Sequence, residues 1–290
     1  MNLIKELTHL QSVFTLQYNH QHGIALVPTM GNLHQGHEAL LHQARKMADL
    51  VVLSIFVNPL QFNVTEDYLS YPKTMAHDLE IARRQQVDVV FLPQEREIYP
   101  PEKHEVCMDF PDITSRFCGK YRPGHFQGVL RIISILLHLV RPHYALFGEK
   151  DYQQLRLIQL MAEQLHFQTK VIGVPTVRAA NGLAHSSRNV HLSAAERAQA
   201  GMMYQTLQQT QAALQQGSNA FQQLEQQGWK QLIRAGFKVD YFAIAEATYL
   251  QPAQPEDQNL VVLTACHLGK TRLIDNLLCH RHICKSSRAP

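Results

Sequence analysis

Two histidines separated by Gln-Gly, His34 and His37, are the side chains in this chain best placed to do chemistry. They close the stretch Val27-Pro-Thr-Met-Gly-Asn-Leu-His-Gln-Gly-His37. An apolar run, Ile24–Val27, precedes it, and an amphipathic run, Glu38–Leu50, follows. That pattern predicts a strand, a tight turn and a helix start. Backbone N–H groups and the positive end of the helix dipole converge there, which suits a phosphate. Imidazoles can add hydrogen bonds to a triphosphate as it reacts. The same residues also fit a plain turn with two solvated histidines, because short motifs recur by chance.

Other stretches offer related groups. Asn58-Pro-Leu-Gln-Phe62 ends an apolar run and puts Asn58 and Gln61 where open α/β sheets bind ligands; Asn-Pro is equally a common turn pair. Arg122-Pro-Gly-His-Phe-Gln-Gly128 is a loop with a guanidinium and an imidazole. Gly148-Glu-Lys-Asp151 follows a short apolar run and carries Lys150, a point charge able to meet phosphates. Gln153 and Gln154 open the helix behind it, and one of them can point into a cleft. Ser186-Ser-Arg188 offers two hydroxyls and a guanidinium fork, which fit phosphate oxygens but also occur in ordinary loops.

The elements that must position these groups follow from periodicity. Met1–Asn19 has helix-like apolar spacing. Strands are predicted at Ile24–Val27, Val51–Val57, Val87–Leu92, Tyr144–Phe147 and Lys170–Val174, with another short one possible at Glu105–Met108. Helices are predicted at about 38–48, 74–86, 129–140 and from Asp151 to about Leu165, with polar loop at Thr65–Tyr71. Strands alternating with helices read as a Rossmann-like, doubly wound parallel sheet. The first domain is expected to end near residue 176. Ser193-Ala-Ala-Glu196 has the form of a capping box. Glutamine-rich helices split by Gly217, then strands at Phe237–Ala245 and Asn259–Cys266, make residues 177–290 a smaller α+β domain.

At 290 residues, 45% hydrophobic and 18% charged, the chain is of the soluble globular kind. A net charge of +3 argues for neither nucleic acid nor membrane. The apolar run Ile132–Val140 is too short to span a bilayer. Five scattered cysteines form no disulfide framework and fit a reducing compartment. No signal peptide is recognisable at the start, and a cytoplasmic protein is expected. Cys279-His-Arg-His-Ile-Cys284 offers possible metal ligands, but it lacks zinc-finger spacing and reads as a frayed tail.

There is neither a GxxxxGK[ST] loop nor a GxGxxG fingerprint, which argues against a kinase or a dehydrogenase. An HxGH turn with a later Lys/Ser/Arg loop instead resembles the nucleotidyltransferase superfamily that includes class I aminoacyl-tRNA synthetases. Five motifs sharpen this: Pro28–His37, Ser54–Phe62, Arg122–Phe126, Phe147–Leu155 and Gly182–Asn189. With Tyr71-Pro72 and Arg272–Asn276, they run in the order of the pantothenate synthetase (pantoate–β-alanine ligase) family, which the chain resembles along nearly its whole length.

The resemblance implies a two-step reaction. ATP and (R)-pantoate give an enzyme-bound pantoyl adenylate and pyrophosphate, with Mg²⁺ held mainly by the phosphates and no protein ligand assigned. The amine of β-alanine then displaces AMP. By the same resemblance ATP lies on Met30, Gly31, Asn32, Leu33, His34, Gln35, Gly36 and His37. It also lies on Gly148, Glu149, Lys150, Asp151, Val177, His185, Ser186, Ser187 and Arg188. His34, His37 and Lys150 take the catalytic roles, with His37 as proton donor. Gln61 and Gln154 hold pantoate, and Gln61 also borders the β-alanine site. A homodimer is implied. Acyl adenylates react with water, so closure of the C-terminal domain over the site is expected. The alternatives are another adenylyl-transferring member of the superfamily or a non-catalytic nucleotide-binding protein.

The chain departs from the family pattern at Ile135, where a Lys is usual, and at Arg131, where a small or hydroxyl residue is usual. Asn181 stands for an Asp, His185 for a Met, and His77 lies where acids are common.

Overall fold

The computed structural model describes residues 1–17, 23–101 and 106–281. By compactness the chain divides into two units: Met1–Val177 with His185–Ser187, and Arg178–Ala184 with Arg188–Pro290.

The first unit is built on β1 (Asn2–Ile4), β2 (Ile24–Thr29), β3 (Leu50–Ile55), β4 (Val89–Phe91), β5 (Tyr144–Gly148) and β6 (Lys170–Val174). They form one six-stranded sheet in the order β1-β4-β3-β2-β5-β6, and every pairing is parallel. The run Val51–Ile55 is buried throughout, as expected of a strand covered on both faces. Alternate residues Ala25, Val27, Val51, Leu53 and Ile55 share a core with Leu41 and Ala44 of the helix Gln35–Met47 and Ile81 of the helix Met75–Arg84. The helix His125–Val140 also packs on β2 but takes no part in that core, so it covers the opposite face. The expected doubly wound α/β sheet is present.

The chain steps outward from β2 through β3 to β4, then returns to lay β5 on the other side of β2. The crevice outside the carboxyl ends of β2 and β5 is thus the topological switch point, where sheets of this kind bind ligands. The turns leaving these strands carry His34 and His37, and Lys150.

The second unit has its own core. The strands β7 (Lys238–Glu246), β8 (Asn259–Leu268) and β9 (Thr271–His280) make an antiparallel sheet in that order. The helices Met202–Gln215 and Phe221–Arg234 pack on it, burying Leu207, Leu214, Leu232, Val262 and Cys266. Ser193 and Glu196 form the expected capping box: the Glu196 amide donates to Ser193 Oγ (3.2 Å) and the Ser193 amide to Glu196 Oε2 (2.8 Å). Arg178 grips Asp275 with both guanidinium nitrogens, at 2.6 and 2.9 Å, which ties the Arg178–Ala184 hairpin to β9.

Several local expectations are corrected. Asn2–Ile4 is a strand, not helix; Ile4 is fully buried beside β4, and that pairing outweighs local helical spacing. The helix then runs Leu7–Gln17, and residues 18 and 19 of the expected helix lie outside the described residues. Thr65–Leu69 is a short helix rather than loop. The helix expected from Val129 already begins at His125. Residues 106–108 form no strand, and residue 105 lies outside the described set. Cys279 and His280 belong to β9 instead of a frayed tail, because they pair with Leu260 and Asn259 of β8; residues 282–290 lie outside the described set. Among the described residues no helix is long and apolar enough to cross a membrane, and no cluster of His, Cys, Asp and Glu fits a metal ion.

Candidate active site

The turn after β2 is shaped by its own side chains. Thr29 Oγ1 donates to the Ser54 carbonyl (2.8 Å) and accepts from the Gly31 amide (3.2 Å). Gly31 and Asn32 follow with φ of 82° and 51°, a left-handed pair that turns the chain toward the helix. The amides of Asn32 and Leu33 point inward to the Asp78 carboxylate.

His34 then caps the helix Gln35–Met47. Its Nδ1 accepts from the Gly36 amide (3.1 Å), and His37 Nδ1 accepts from the His34 amide (3.3 Å). An amide can only donate, so each Nδ1 carries a lone pair and each neutral ring carries its proton on Nε2. The expected cradle of amides is therefore altered: two of them act through the imidazoles, which present Nε2–H in their place. Burial, the nearby His37, Lys150 and His185, in that order, hold His34 down to about 3, with Asp151 opposing. Burial and then Lys150 hold His37 down to about 4. Both rings are thus neutral donors at neutral pH while the site holds no anion.

The turn after β5 brings Lys150 within 3.7 Å of Asp151 and close enough to both histidines to act on their titration. Burial raises the pKa of Glu149, the residue before it. The helix Tyr152–Gln164 starts here and separates two neighbouring glutamines. Gln153 is buried. Its Oε1 accepts from the Cys118 amide (3.0 Å) and its Nε2 donates to the Ile113 and Arg116 carbonyls (2.8 and 2.9 Å). Gln154 is half-buried, and among the described residues its amide has no hydrogen-bond partner. Of the pair, only Gln154 has its polar atoms available to a ligand.

Gln61 sits at the end of β3 in a short turn, Pro59–Gln61. Its Oε1 accepts from Asn58 Nδ2 (3.0 Å) and its Nε2 lies 2.9 Å from Met30 Sδ, joining this turn to the one after β2. Asn58 also donates to the Gly128 carbonyl (3.1 Å) and accepts from Tyr99 (2.8 Å). The Arg122–Gly128 stretch supports Gln61 from behind. Arg122 donates to His125 Nε2 (3.0 Å), so His125 has its proton on Nδ1, which donates to the Gln61 carbonyl (2.8 Å). A Cβ on Gly128 would collide with the Leu60 carbonyl oxygen, so the close approach here requires glycine.

After β6, the His185 amide donates to the Val177 carbonyl (3.0 Å). The His185 ring stacks near His34, with centroids 6.4 Å apart, while His34 and His37 are 4.1 Å apart. Ser187 Oγ donates to the Asn32 carbonyl (3.3 Å). The first unit thus brings together Met30–His37, Lys150, Asp151 and His185–Ser187. Leu33 contributes little to a ligand, with its side chain in the core and its amide on Asp78. Arg188 belongs to the second unit. Sequence reading missed Asp78 as a support, since an acid in a first helical turn ordinarily serves the dipole.

Comparison with known proteins agrees with this architecture. The profile of the family described as pantoate-beta-alanine ligase matches residues 2–278. The chain is 44% identical over 281 residues to a pantothenate synthetase of Pseudomonas putida (strain W619), covering 97% of this chain and 98% of the other. It is 47% identical over 254 residues to that of Neisseria meningitidis serogroup B, covering 88% and 91%. The crystal structure of pantothenate synthetase from Thermus thermophilus superposes with a TM-score of 0.88 at 38% identity, covering 96% of this chain and 99% of that one. The pantoate-beta-alanine ligase of Francisella tularensis, solved in complex with beta-gamma ATP and beta-alanine, gives 0.80 at 34% identity, covering 96% and 97%. With this agreement over nearly the full length of sequence and fold, the chain belongs to the pantoate–β-alanine ligase family.

Proposed function

We propose that the crevice at the switch point adenylates (R)-pantoate and then passes the pantoyl group to β-alanine, with the roles divided as follows. The ATP triphosphate lies against His34, His37, Lys150 and the His185–Ser187 segment. Arg188 joins them on the strength of the resemblance. Met30–Gly36, Gly148–Asp151 and Val177 border the rest of the nucleotide. Gln61 and Gln154 hold the hydroxyl groups of pantoate, with Gln61 also next to β-alanine. The observation that carries this reading is the grouping of three imidazoles and Lys150 around turns that end β2 and β5.

In the first step a pantoate carboxylate oxygen bonds to the α-phosphorus, and the bond to the bridging oxygen of pyrophosphate breaks. Negative charge grows on the leaving group. Lys150 and the two Nε2–H donors meet that charge as fixed groups, so little reorganisation is needed. The phosphate charge raises the proton affinity of His37 from its low resting level; once Nδ1 takes a proton and gives up its bond from the His34 amide, Nε2–H can pass its proton to the leaving oxygen. In the second step the β-alanine amine bonds to the acyl carbon, the bond from that carbon to the AMP phosphate oxygen breaks, AMP leaves, and the nitrogen releases a proton to solvent. No covalent enzyme intermediate is needed; Cys266 is buried, and that environment pushes its thiol up beyond reach as a nucleophile.

Mg²⁺ enters as part of the ATP substrate and neutralises phosphate charge. The resemblance supports a homodimer, which sedimentation would check, and a cytoplasmic setting.

Product analysis tests the proposal. With ATP, pantoate and β-alanine, AMP and pyrophosphate appear in equal amounts. A stable adenylylated product without AMP would refute it.

A further inference from the structure

Asp78 lies in the first turn of the helix Met75–Arg84, yet it is 1% exposed. Acids in such positions usually face water and the helix dipole. This carboxylate is turned toward another segment of the chain. Oδ1 accepts from the Leu33 amide (2.8 Å) and from Thr74 Oγ1 (3.1 Å), and Oδ2 accepts from the Asn32 amide (3.0 Å). These are charge-assisted bonds, the strong kind.

What they hold is a backbone shape the chain does not adopt readily. Asn32 has φ 51°, a region that penalises residues with a Cβ. Gly31 has φ 82°, and a Cβ there would lie 3.0 Å from Asp78 Oδ2. The next residues are His34, which caps the helix, and His37 in its first turn. The carbonyl of Asn32 is also the acceptor for Ser187 Oγ (3.3 Å). One buried carboxylate therefore fixes the approach to both histidines and the peptide that receives Ser187.

We propose that Asp78 is a positioning residue for adenylate formation: it clamps the left-handed Gly31-Asn32 segment and so sets where the groups meeting the triphosphate stand. This rests on the proposed ATP site. It assigns Asp78 chiefly to the first half-reaction, in which His34, His37 and Ser187, the groups this segment positions, meet the β- and γ-phosphates.

The test is Asp78→Asn in the full chain. The variant keeps the shape of the side chain, but one arm becomes an NH2 that cannot accept, so one loop amide faces a donor. Pantoate-dependent ATP–pyrophosphate exchange should fall by roughly 10- to 100-fold in kcat, the scale of misplacing a preorganised donor. The second half-reaction, started from supplied pantoyl adenylate and β-alanine, should stay within about threefold of wild type. Equal losses in both half-reactions would reduce Asp78 to a general structural role and overturn the proposal. So would exchange within about threefold of wild type. If the variant does not fold, Thr74→Ala removes only one donor to the carboxylate and should give a smaller loss confined to exchange; a loss shared by both halves, or none, contradicts the clamp. Absence of exchange in the wild-type chain would refute the ATP site and this role of Asp78 with it, whereas exchange present in the wild type and unchanged in the variant would refute the role of Asp78 alone.

Discussion

The turns after β2 and β3 end neighbouring strands of one sheet but are held by different means. The turn after β2 is knit by short-range bonds, Gly31 to Thr29, Gly36 to His34 and His34 to His37, and is held from farther off by Asp78, Ser54, Gln61 and Ser187. The turn that carries Gln61 is fixed largely from outside. Asn58 bonds across to the Gly128 carbonyl, His125 donates to the Gln61 carbonyl, and Gly128 lies against the Leu60 peptide. A phosphate site needs donors at fixed spacing on one turn, which local bonds can supply. A site that selects a hydroxy acid, the role proposed for Gln61, needs a rigid platform, and the turn that carries Gln61 is held by a distant loop. The two turns should therefore respond differently to substitution.

Gly128→Ala should have the largest effect. The added Cβ cannot be accommodated without moving the Leu60-Gln61 backbone. Overpacking of this kind costs about 1–3 kcal/mol, and a displaced pantoate site should lower exchange by about 10²-fold. A thermal melt and exchange at saturating ATP would check both; exchange near wild type would mean that the platform does not need this support.

On the phosphate side, His37→Ala or Lys150→Ala should cut adenylate formation by about 10²-fold, and His37→Ala should also lower the melting temperature, since it removes the acceptor for the His34 amide. Rapid-quench measurement of pyrophosphate release gives the number. Near-normal turnover in either variant would misassign that turn.

The adjacent glutamines sharpen the contrast at smaller scale. Gln153→Ala removes the partners of a buried amide and two carbonyls and should destabilise the fold by roughly 1–3 kcal/mol. Gln154→Ala should leave stability within about 0.5 kcal/mol of wild type and raise the KM for pantoate. Denaturant melts and pantoate titrations separate them; the opposite pattern would reverse their roles.

A separate effect is on pH dependence. His34 and His37 titrate near 3 and 4 in the folded chain, below the ordinary value of 6.5. The unfolded chain therefore takes up these protons first as the pH falls. Their contribution is at its fullest above pH 6.5 and is lost as the pH drops toward 3–4. The double variant His34→Gln/His37→Gln should flatten the stability profile of the ligand-free protein in that window. An unchanged profile would remove the histidines as its cause.

The same contrast explains what could be read from sequence. His34, His37 and Gly36 lie within one turn, so their spacing announces the motif directly. The alternation of apolar runs pointed to the parallel sheet, because buried strands are continuous and apolar. The clamp between Asp78 and Asn32 spans 46 positions, and the bond from Asn58 to Gly128 spans 70; no local pattern encodes either. Gln153 and Gln154 are neighbours, and only the phase of the helix decides which is consumed by the core. The first strand was hidden because Leu3 and Ile4 fit helical spacing until β4 pairs with them. The last strand was hidden behind its Cys and His residues, which drew attention as ligands although Cys279 is buried in the sheet.

Adenylation at the switch point between β2 and β5 is tested most directly by exchange of labelled pyrophosphate into ATP. Wild-type protein should exchange only when pantoate is present, and His37→Ala should lose about 10²-fold of that exchange. Tight ATP binding with no pantoate-dependent exchange, or exchange equal with and without pantoate, would contradict it.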